Sequence, residues 1–547
     1  MRKFNKTLFT IFLLTSTQAI LSAQTSNQSS GYLFYGLLGV GVLVALGAII
    51  TLADNLLKVE ASKVGIDVVK KDVGILPSLS NFLTGKKPEF VGENSYHKLT
   101  QGYDLKLSGQ ASGEIEDARV TRFAVCPTDF RGMSPIPKVV VEVGDTVKAG
   151  DPLFFDKKTP EVIYTAPVSG EIIEVNRGEK RSIIEVVILA DIVQQNKVFT
   201  IPAASATRSE LTQFLQESGA WALLNQRPYD IVPPIGDIPR DIYISTFDTA
   251  PLAPDANVVI KGNESYFQKG LDVLALLTTG AVHLGLDGRK PESISTAFTQ
   301  ATGVAKHWFA GKHPAGNVGI QIHNTKPIKS GQNVWTLGVQ EVVSIGKLFK
   351  DGVLDSSRVV ALAGSKLSAP KYVRTFVGAQ IGELIGSNIK QDGKDSRIIS
   401  GDVLSGKQKT IKQYLGYKDD QVTVIAEGNE YELFGWLLPI KPRPSISNTF
   451  PNFLFPDYKF EGDTNTHGEA RAFVVSGQYE EVLPMNIYPQ HLMKAILAND
   501  FEKMEGLGIQ ELSEEDIALC EFVCTSKYHY RKFYEKDWTW YNLRVNL

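Results

Sequence analysis

The sequence predicts an α/β chain of several domains, α+β in its overall arrangement, and three observations carry that expectation. First, 547 residues exceed what one core supports, and at about 100–200 residues per domain three to five are expected. Second, hydrophobic residues reach 43%, enough for packed cores, while 47 glycines and 26 prolines favour turns and short strands over a helical bundle. Third, residues 205–300 alternate helical and extended patterns: Glu210–Leu215 and Tyr266–Leu277 have helical spacing, and Asp241–Thr246 and Ala281–Leu286 read as strands. A net charge of −3 favours neither nucleic acid nor an acidic substrate. Cys126, Cys520 and Cys524 supply no disulfide framework and suit a reducing compartment.

Residues 1–23 resemble a secretory signal: Arg2, Lys3 and Lys6 precede the apolar run Leu8–Leu14, and Ser22-Ala23 offers a cleavage point. Leu21 stands where such sites prefer a small side chain. Residues 32–53 then run 22 positions without a charge, long enough to cross a bilayer as one helix, with Tyr32 and Tyr35 suited to an interfacial belt. Lys58, Lys63, Lys70 and Lys71 follow, which by the positive-inside tendency places the globular body in the cytoplasm, anchored to the inner membrane by a single pass. Retention of the signal would add a second span and leave the body on the same side. Residues 55–100 read as a tether with a weak helix over Leu56–Val73.

Residues 101–200 alternate in two mirrored halves. Val139–Leu153 carries short strands with Gly-Asp turns, and Tyr164–Val175 repeats the pattern. Such halves resemble the barrel-sandwich fold of biotin- and lipoyl-carrier domains. Asp156-Lys157-Lys158 sits where those carriers place a modified lysine. Here the hairpin is shorter and stiffened by Thr159-Pro160, so no covalent cofactor is expected.

Beyond 201–330, the region 331–430 is strand-rich: Asn333–Leu337, Val359–Ala363, Lys371–Arg374 and Gln421–Ile425, with a short helix over Gly378–Ser387. In 431–547, Gln490–Leu497 and Glu514–Cys524 have apolar i, i+3, i+4 spacing. Ser513 is a plausible cap with acids in the first turn behind it. Cys520 and Cys524 share a helix face and read as buried thiols, since an iron–sulfur cubane needs about four thiolates.

His307–His323 crowds three of the eight histidines among Gly311, Gly316 and Gly319. A tight turn over 311–316 is expected between a helix-like segment and a strand, the latter from the alternation Val318, Ile320, Ile322. Spacings of six and ten residues with no nearby cysteine match no compact zinc pattern, so His313, Pro314 and Gly316 are assigned to an interface loop and no metal is assigned. No G-x-G-x-x-G follows a strand and no G-x-x-x-x-G-K-[ST] occurs, so no dinucleotide or triphosphate cradle is expected.

Dispersed motifs carry a wider resemblance. They are Phe155-Asp156-Lys157-Lys158, Asn176–Arg181, Trp221 with Arg227-Pro228, Phe247–Ala253, Lys312–Gly316, Val373-Arg374-Thr375, Ile398–Gly406, Glu432–Trp436 and Glu514–Cys524. From about Gly102 to Tyr528 the chain resembles the NqrA family of the Na+-translocating NADH:quinone oxidoreductase. Residues 1–100 are an addition to that pattern, and Trp538–Tyr541 has no counterpart in it. The resemblance implies a barrel-sandwich domain, a Rossmann-like domain over 201–330 that has lost the flavin loop of its relatives, and a β-grasp, soluble-ligand-binding domain over 331–430. It also implies a peripheral component that binds no cofactor itself, docked on membrane partners, especially NqrB. The complex, with NADH, flavins and iron centres, would reduce quinone and move Na+ from cytoplasm to periplasm.

A quinone site needs an apolar slot with a few polar groups. Phe130, Arg131 and Met133 offer one such mixture, and Leu224, Arg227 and Tyr229 another. No paired carboxylates or Ser/His/Asp set forms a catalytic apparatus. The alternatives are a membrane-anchored electron-transfer protein like RnfC of the Rnf complex, or a docking module without quinone contact. An independent dehydrogenase lacks its phosphate loops here. An efflux adaptor would need a long helical hairpin where only Lys157–Val162 stands.

Overall fold

The computed structural model of the chain describes residues 30–63, 87–430, 434–435, 442–446 and 451–529. It divides into two units, Met1–Glu89 and Phe90–Leu547. The signal expected over 1–23, the tether at 64–86 and the tail at 538–541 lie outside the described residues.

In the first unit, Ser30–Lys63 is one helix of 34 residues. Among the described residues, no helix is long and apolar enough to cross a membrane. The span expected over 32–53 is therefore not supported here.

The second unit is organised on a six-stranded sheet. Its order is Ser95–Lys98, Ala305–Ala310, Val282–Asp287, Ile242–Ser245, Val334–Leu337, Asn225–Arg227. The first five strands are parallel and the last antiparallel. The central parallel strands are buried, as the apolar runs around Ile242-Ile244 and Val282-Leu284-Leu286 require. The helices Glu264–Ala275 and Val339–Asp351 pack closely: a Cβ on Gly346 would lie 1.8 Å from the Tyr266 carbonyl oxygen, and one on Gly270 would lie 2.2 Å from that of Val342. Gly352, with φ 71°, closes the second helix in the left-handed conformation glycine tolerates.

Three expectations change on this sheet. Val318–Thr325 is a helix, and the segment before it, Ala305–Ala310, is a strand, so the order around His313 is strand–turn–helix. The alternation at 318–322 misleads because Gly319, Ile320, Gln321 and Ile322 are all buried, leaving no polar face to betray a helical period. Val334–Leu337 and Val339–Asp351 belong to this sheet and its cover, so the α/β domain runs past residue 330. Ser95–Lys98, expected in the tether, is the edge strand beside Ala305–Ala310.

Residues 122–190 form the barrel-sandwich domain from a four-stranded and a three-stranded sheet. Pro152–Asp156 and Thr159–Thr165 pair across the two-residue turn Lys157-Lys158, whose geometry Asp156 holds by accepting from the Ser134 and Lys158 amides at 2.9 and 3.0 Å. A second mixed six-stranded sheet spans 357–426 and recruits Ser112–Asp117 as its edge, beside Lys371–Phe376. The C-terminal helices Pro489–Leu497 and Glu514–Val523 share a core with Leu105, Leu107, Ile320 and Tyr479. Cys520 and Cys524 are free and buried in it.

Candidate functional site

Ile242–Ser245 stands beside Val334–Leu337, and the chain reaches the two by opposite routes. From the first it steps outward to Val282–Asp287 and Ala305–Ala310, then crosses back to place Val334–Leu337 on the other side. An open α/β sheet leaves a crevice outside the carboxyl ends of such a pair. Here a cavity of about 340 Å³ occupies that position. The turn after the central strand (Ser245–Asp248), the His313–Val318 turn, the second sheet domain (Asp402, Lys418, Asp420) and the last helix (Glu515, Ala518) all line it.

Two helix N-termini border this crevice, and protein carboxylates already cover both. Gly338 precedes Val339–Asp351, and a Cβ placed on it would lie 2.3 Å from Glu341 Oε2. Glu341 also pairs with Arg358, both side chains being 6% exposed or less. Burial opposes ionisation of Glu341, but the Arg358 guanidinium outweighs it and brings the carboxyl below its usual range. At the other N-terminus, a Cβ on Gly319 would lie 2.2 Å from Asp516 Oδ2. Asp516 also accepts from Ser513, closing a capping box at the start of the last helix.

Arg227 joins the domains. Its guanidinium reaches Asp230 at 2.8 Å, Glu515 at 2.7 Å and Asp516 at 3.4 Å. Lys418 donates to the Leu224 carbonyl and to Asn225 Oδ1, and burial brings its amine down to about 8. Burial pushes the Asp420 carboxyl up to about 7 against the pull of Arg358. His313 donates its backbone N–H to Asp104, and its Nδ1 lies 3.1 Å from Thr249 Oγ1. Among the described residues its Nε2 has no partner, although the residue is 3% exposed. Burial lowers the imidazole pKa despite the surrounding acids.

The two candidate quinone segments meet at one place. Arg131 is ion-paired with Glu514 and Arg227 with Glu515 and Asp516, so both arginines hold the first turn of the same helix. Phe130 packs between Tyr164 and Tyr417, with ring centroids 4.4 and 4.7 Å away, and Leu224 is fully buried. Met133 and Tyr229 are half-buried on neighbouring cores. His313 and Gly316 line the crevice, with Pro314 between them in the turn. Sequence reasoning missed Glu341, Arg358, Asp402, Lys418 and Asp420. The acids after Ser513 were visible as a helix start, but nothing in the sequence links them to Arg227.

Residues 206–354 match the family described as the NqrA second alpha/beta domain, 97–191 the NqrA N-terminal barrel-sandwich hybrid domain, and 359–410 the NQRA C-terminal domain. The NqrA protein of the Na(+)-translocating NADH-quinone reductase from Alcanivorax borkumensis is 40% identical over 441 residues, covering 79% of this chain and 96% of the relative. The chain belongs to this family. The NqrA proteins of Yersinia pestis bv. Antiqua and Rhodopirellula baltica are 41% and 39% identical, over 79% and 81% of this chain and 96% and 98% of their own lengths. A solved NAD+-reducing NiFe-hydrogenase in the air-oxidized state reaches a TM-score of 0.33 at 12% identity, over 63% of this chain and 68% of that one, too distant to carry an argument. The family's second domain ends at residue 354, just after the helix Val339–Asp351 that covers the first sheet.

Proposed function

We propose that the chain acts as the NqrA component of a Na+-translocating NADH:quinone reductase, a member of the complex that binds no electron carrier of its own. The observation that carries this reading is identity of about 40% spread along 96% of the relatives' length. The complex would oxidise NADH, reduce quinone and drive Na+ from cytoplasm to periplasm, with flavins and iron centres on partner subunits, NqrB foremost among the neighbours.

The crevice supports the cofactor-free reading. A flavin or nicotinamide phosphate would seek a helix N-terminus. Both N-termini at the crevice face carboxylates instead, Glu341 and Asp516, and a phosphate entering there would meet Asp248, Asp402 and Asp420. These residues do not fit a phosphate-bearing cofactor.

Phe130, Arg131 and Met133 with Leu224, Arg227 and Tyr229 are our candidates for shaping a quinone site on the cytoplasmic face. Their support is convergence on the first turn of Glu514–Val523. Because Phe130 and Leu224 are core residues, their part is to position Arg131, Met133 and Tyr229. The membrane tether at 32–53 is our assignment from the sequence alone, on 22 residues without a charge.

The test is isolation through this chain from native membranes. The expected result is co-purification of multi-span redox partners, with no flavin in a denatured extract of this chain alone. Recovery of the chain by itself, carrying stoichiometric flavin or oxidising NADH unaided, would overturn the reading.

A further inference from the structure

The crevice carries more acid than its own cations neutralise. Six carboxylates line it, Asp230, Asp248, Glu341, Asp402, Asp420 and Glu515, against Arg227, Arg358 and Lys418. All three cations are engaged within the protein: Arg227 with Asp230, Glu515 and Asp516, Arg358 with Glu341, and Lys418 with a carbonyl and an amide oxygen. Among the described residues, Asp248, Asp402 and Asp420 are left outside these ion pairs.

Asp248 belongs to the α/β domain, Asp402 and Asp420 to the second sheet domain, and all three line one space. Asp248 accepts from its own turn at the Ala250 amide, and Asp402 from the Leu404 and Ser405 amides. Burial pushes the Asp420 carboxyl up to about 7, and repulsion from Asp248 adds to the rise. A second observation points to an occupant. His313, 97% buried in the crevice wall, has one ring nitrogen tied to Thr249 and the other, Nε2, without a partner among the described residues. A polar atom shut away from bulk water in this manner costs stability unless something in the cavity meets it.

The occupant's chemistry follows from the lining. An anion is repelled, and both helix N-termini are already covered. Among the described residues no group of three or more His, Cys, Asp or Glu is arranged to hold a metal ion. A cavity of about 340 Å³ exceeds the needs of a bare ion and matches a small organic molecule. Ala250, Pro254, Ala256, Val259 and Leu404 give it an apolar wall.

We propose that this crevice is a binding site for a small aliphatic amine. Its primary ammonium group is drawn into the acidic lining that Asp248, Asp402 and Asp420 provide, its alkyl segment lies on the apolar wall, and His313 Nε2 meets a polar atom of the ligand. An ammonium donates three hydrogen bonds, which a quaternary amine cannot, so recognition depends on N–H donors as well as charge. Nothing in this site depends on quinone contact or on the partner subunits.

The experiment is calorimetric titration of the purified full chain with putrescine at constant ionic strength. Saturable one-to-one binding is expected, with choline and NaCl failing to compete. Asp420→Asn and Asp248→Asn should each weaken binding about tenfold or more, the usual worth of a charge-assisted bond, while Glu502→Gln on an exposed helix leaves it unchanged. A measurement on the unmodified chain guards against misfolded variants: putrescine, not choline, should suppress carbodiimide labelling of Asp248, Asp402 and Asp420. The proposal is overturned if binding is not saturable, if choline competes equally, if the two Asn variants bind as the native chain does, or if labelling is unaffected.

Discussion

Arg227→Met tests how the last helix is held. The native guanidinium is 6% exposed and meets three carboxylates, of which Asp516 is fully buried, Asp230 is 25% exposed and Glu515 41%. Methionine has nearly the same reach but no charge, so the substitution leaves Asp516 buried beside two further acids. Removing one partner of a buried pair costs about 3–5 kcal/mol. Glu515 is open enough for solvent to screen it, so most of that figure belongs to Asp516. The readout is amide hydrogen exchange in Glu514–Val523, where opening should become roughly 100- to 5000-fold more frequent. Asp516→Asn in the same chain should restore much of the protection.

The pH dependence has a definite sign. Burial raises the Asp516 carboxyl, with Arg227 pulling the other way. A raised carboxyl holds its proton more tightly folded than unfolded. Its contribution is therefore complete below the ordinary carboxylate range and fades as pH climbs above that range. Without Arg227 the Asp516 carboxyl rises further, so the penalty should be larger at pH 8 than at pH 5. Protection that is unchanged by the substitution, or a penalty equal at both pH values, would refute the reasoning.

Three other outcomes follow from the packing. Glu341→Gln leaves Arg358, 4% exposed, without its ion-pair partner and should cost about 3–5 kcal/mol in urea unfolding. Gly346→Ala forces a Cβ to within 1.8 Å of the Tyr266 carbonyl and should cost about 1–3 kcal/mol by the same measurement; Gly506→Ala, with open space around it, is the control. Cys126, Cys520 and Cys524 are all buried, and burial pushes the Cys126 and Cys520 thiols up, so Ellman's reagent should titrate three thiols in denaturant and none promptly in the native chain.

Elements with a clear period were legible. Glu210–Leu215 lies in a helix and Tyr266–Leu277 mostly in another, Asp241–Thr246 contains a strand and Ala281–Leu286 covers most of the next, because each shows one apolar face or a buried run. Val318–Thr325 was not legible, since burial nearly all round removes the contrast on which period reading depends. The crevice stayed hidden for a different reason. Arg227 meets Glu515 and Asp516 across nearly 290 residues, and Arg358 meets Glu341 from another domain. Single-sequence reasoning sees local spacing, and these charges become a site only once the strand order is known. The loop at His313 was found, because glycines and a proline mark a turn wherever it falls.

The edge strand Ser112–Asp117 has a consequence for biosynthesis. Its sheet partner, Lys371–Phe376, leaves the ribosome more than 250 residues later. At about 5–20 residues per second, the early strand waits roughly 10–50 s with one flank unsealed. Its sequence, Ser-Gly-Glu-Ile-Glu-Asp, carries three acids among six residues, and the mutual repulsion of nascent copies keeps that waiting flank from zipping onto a neighbour on the same messenger.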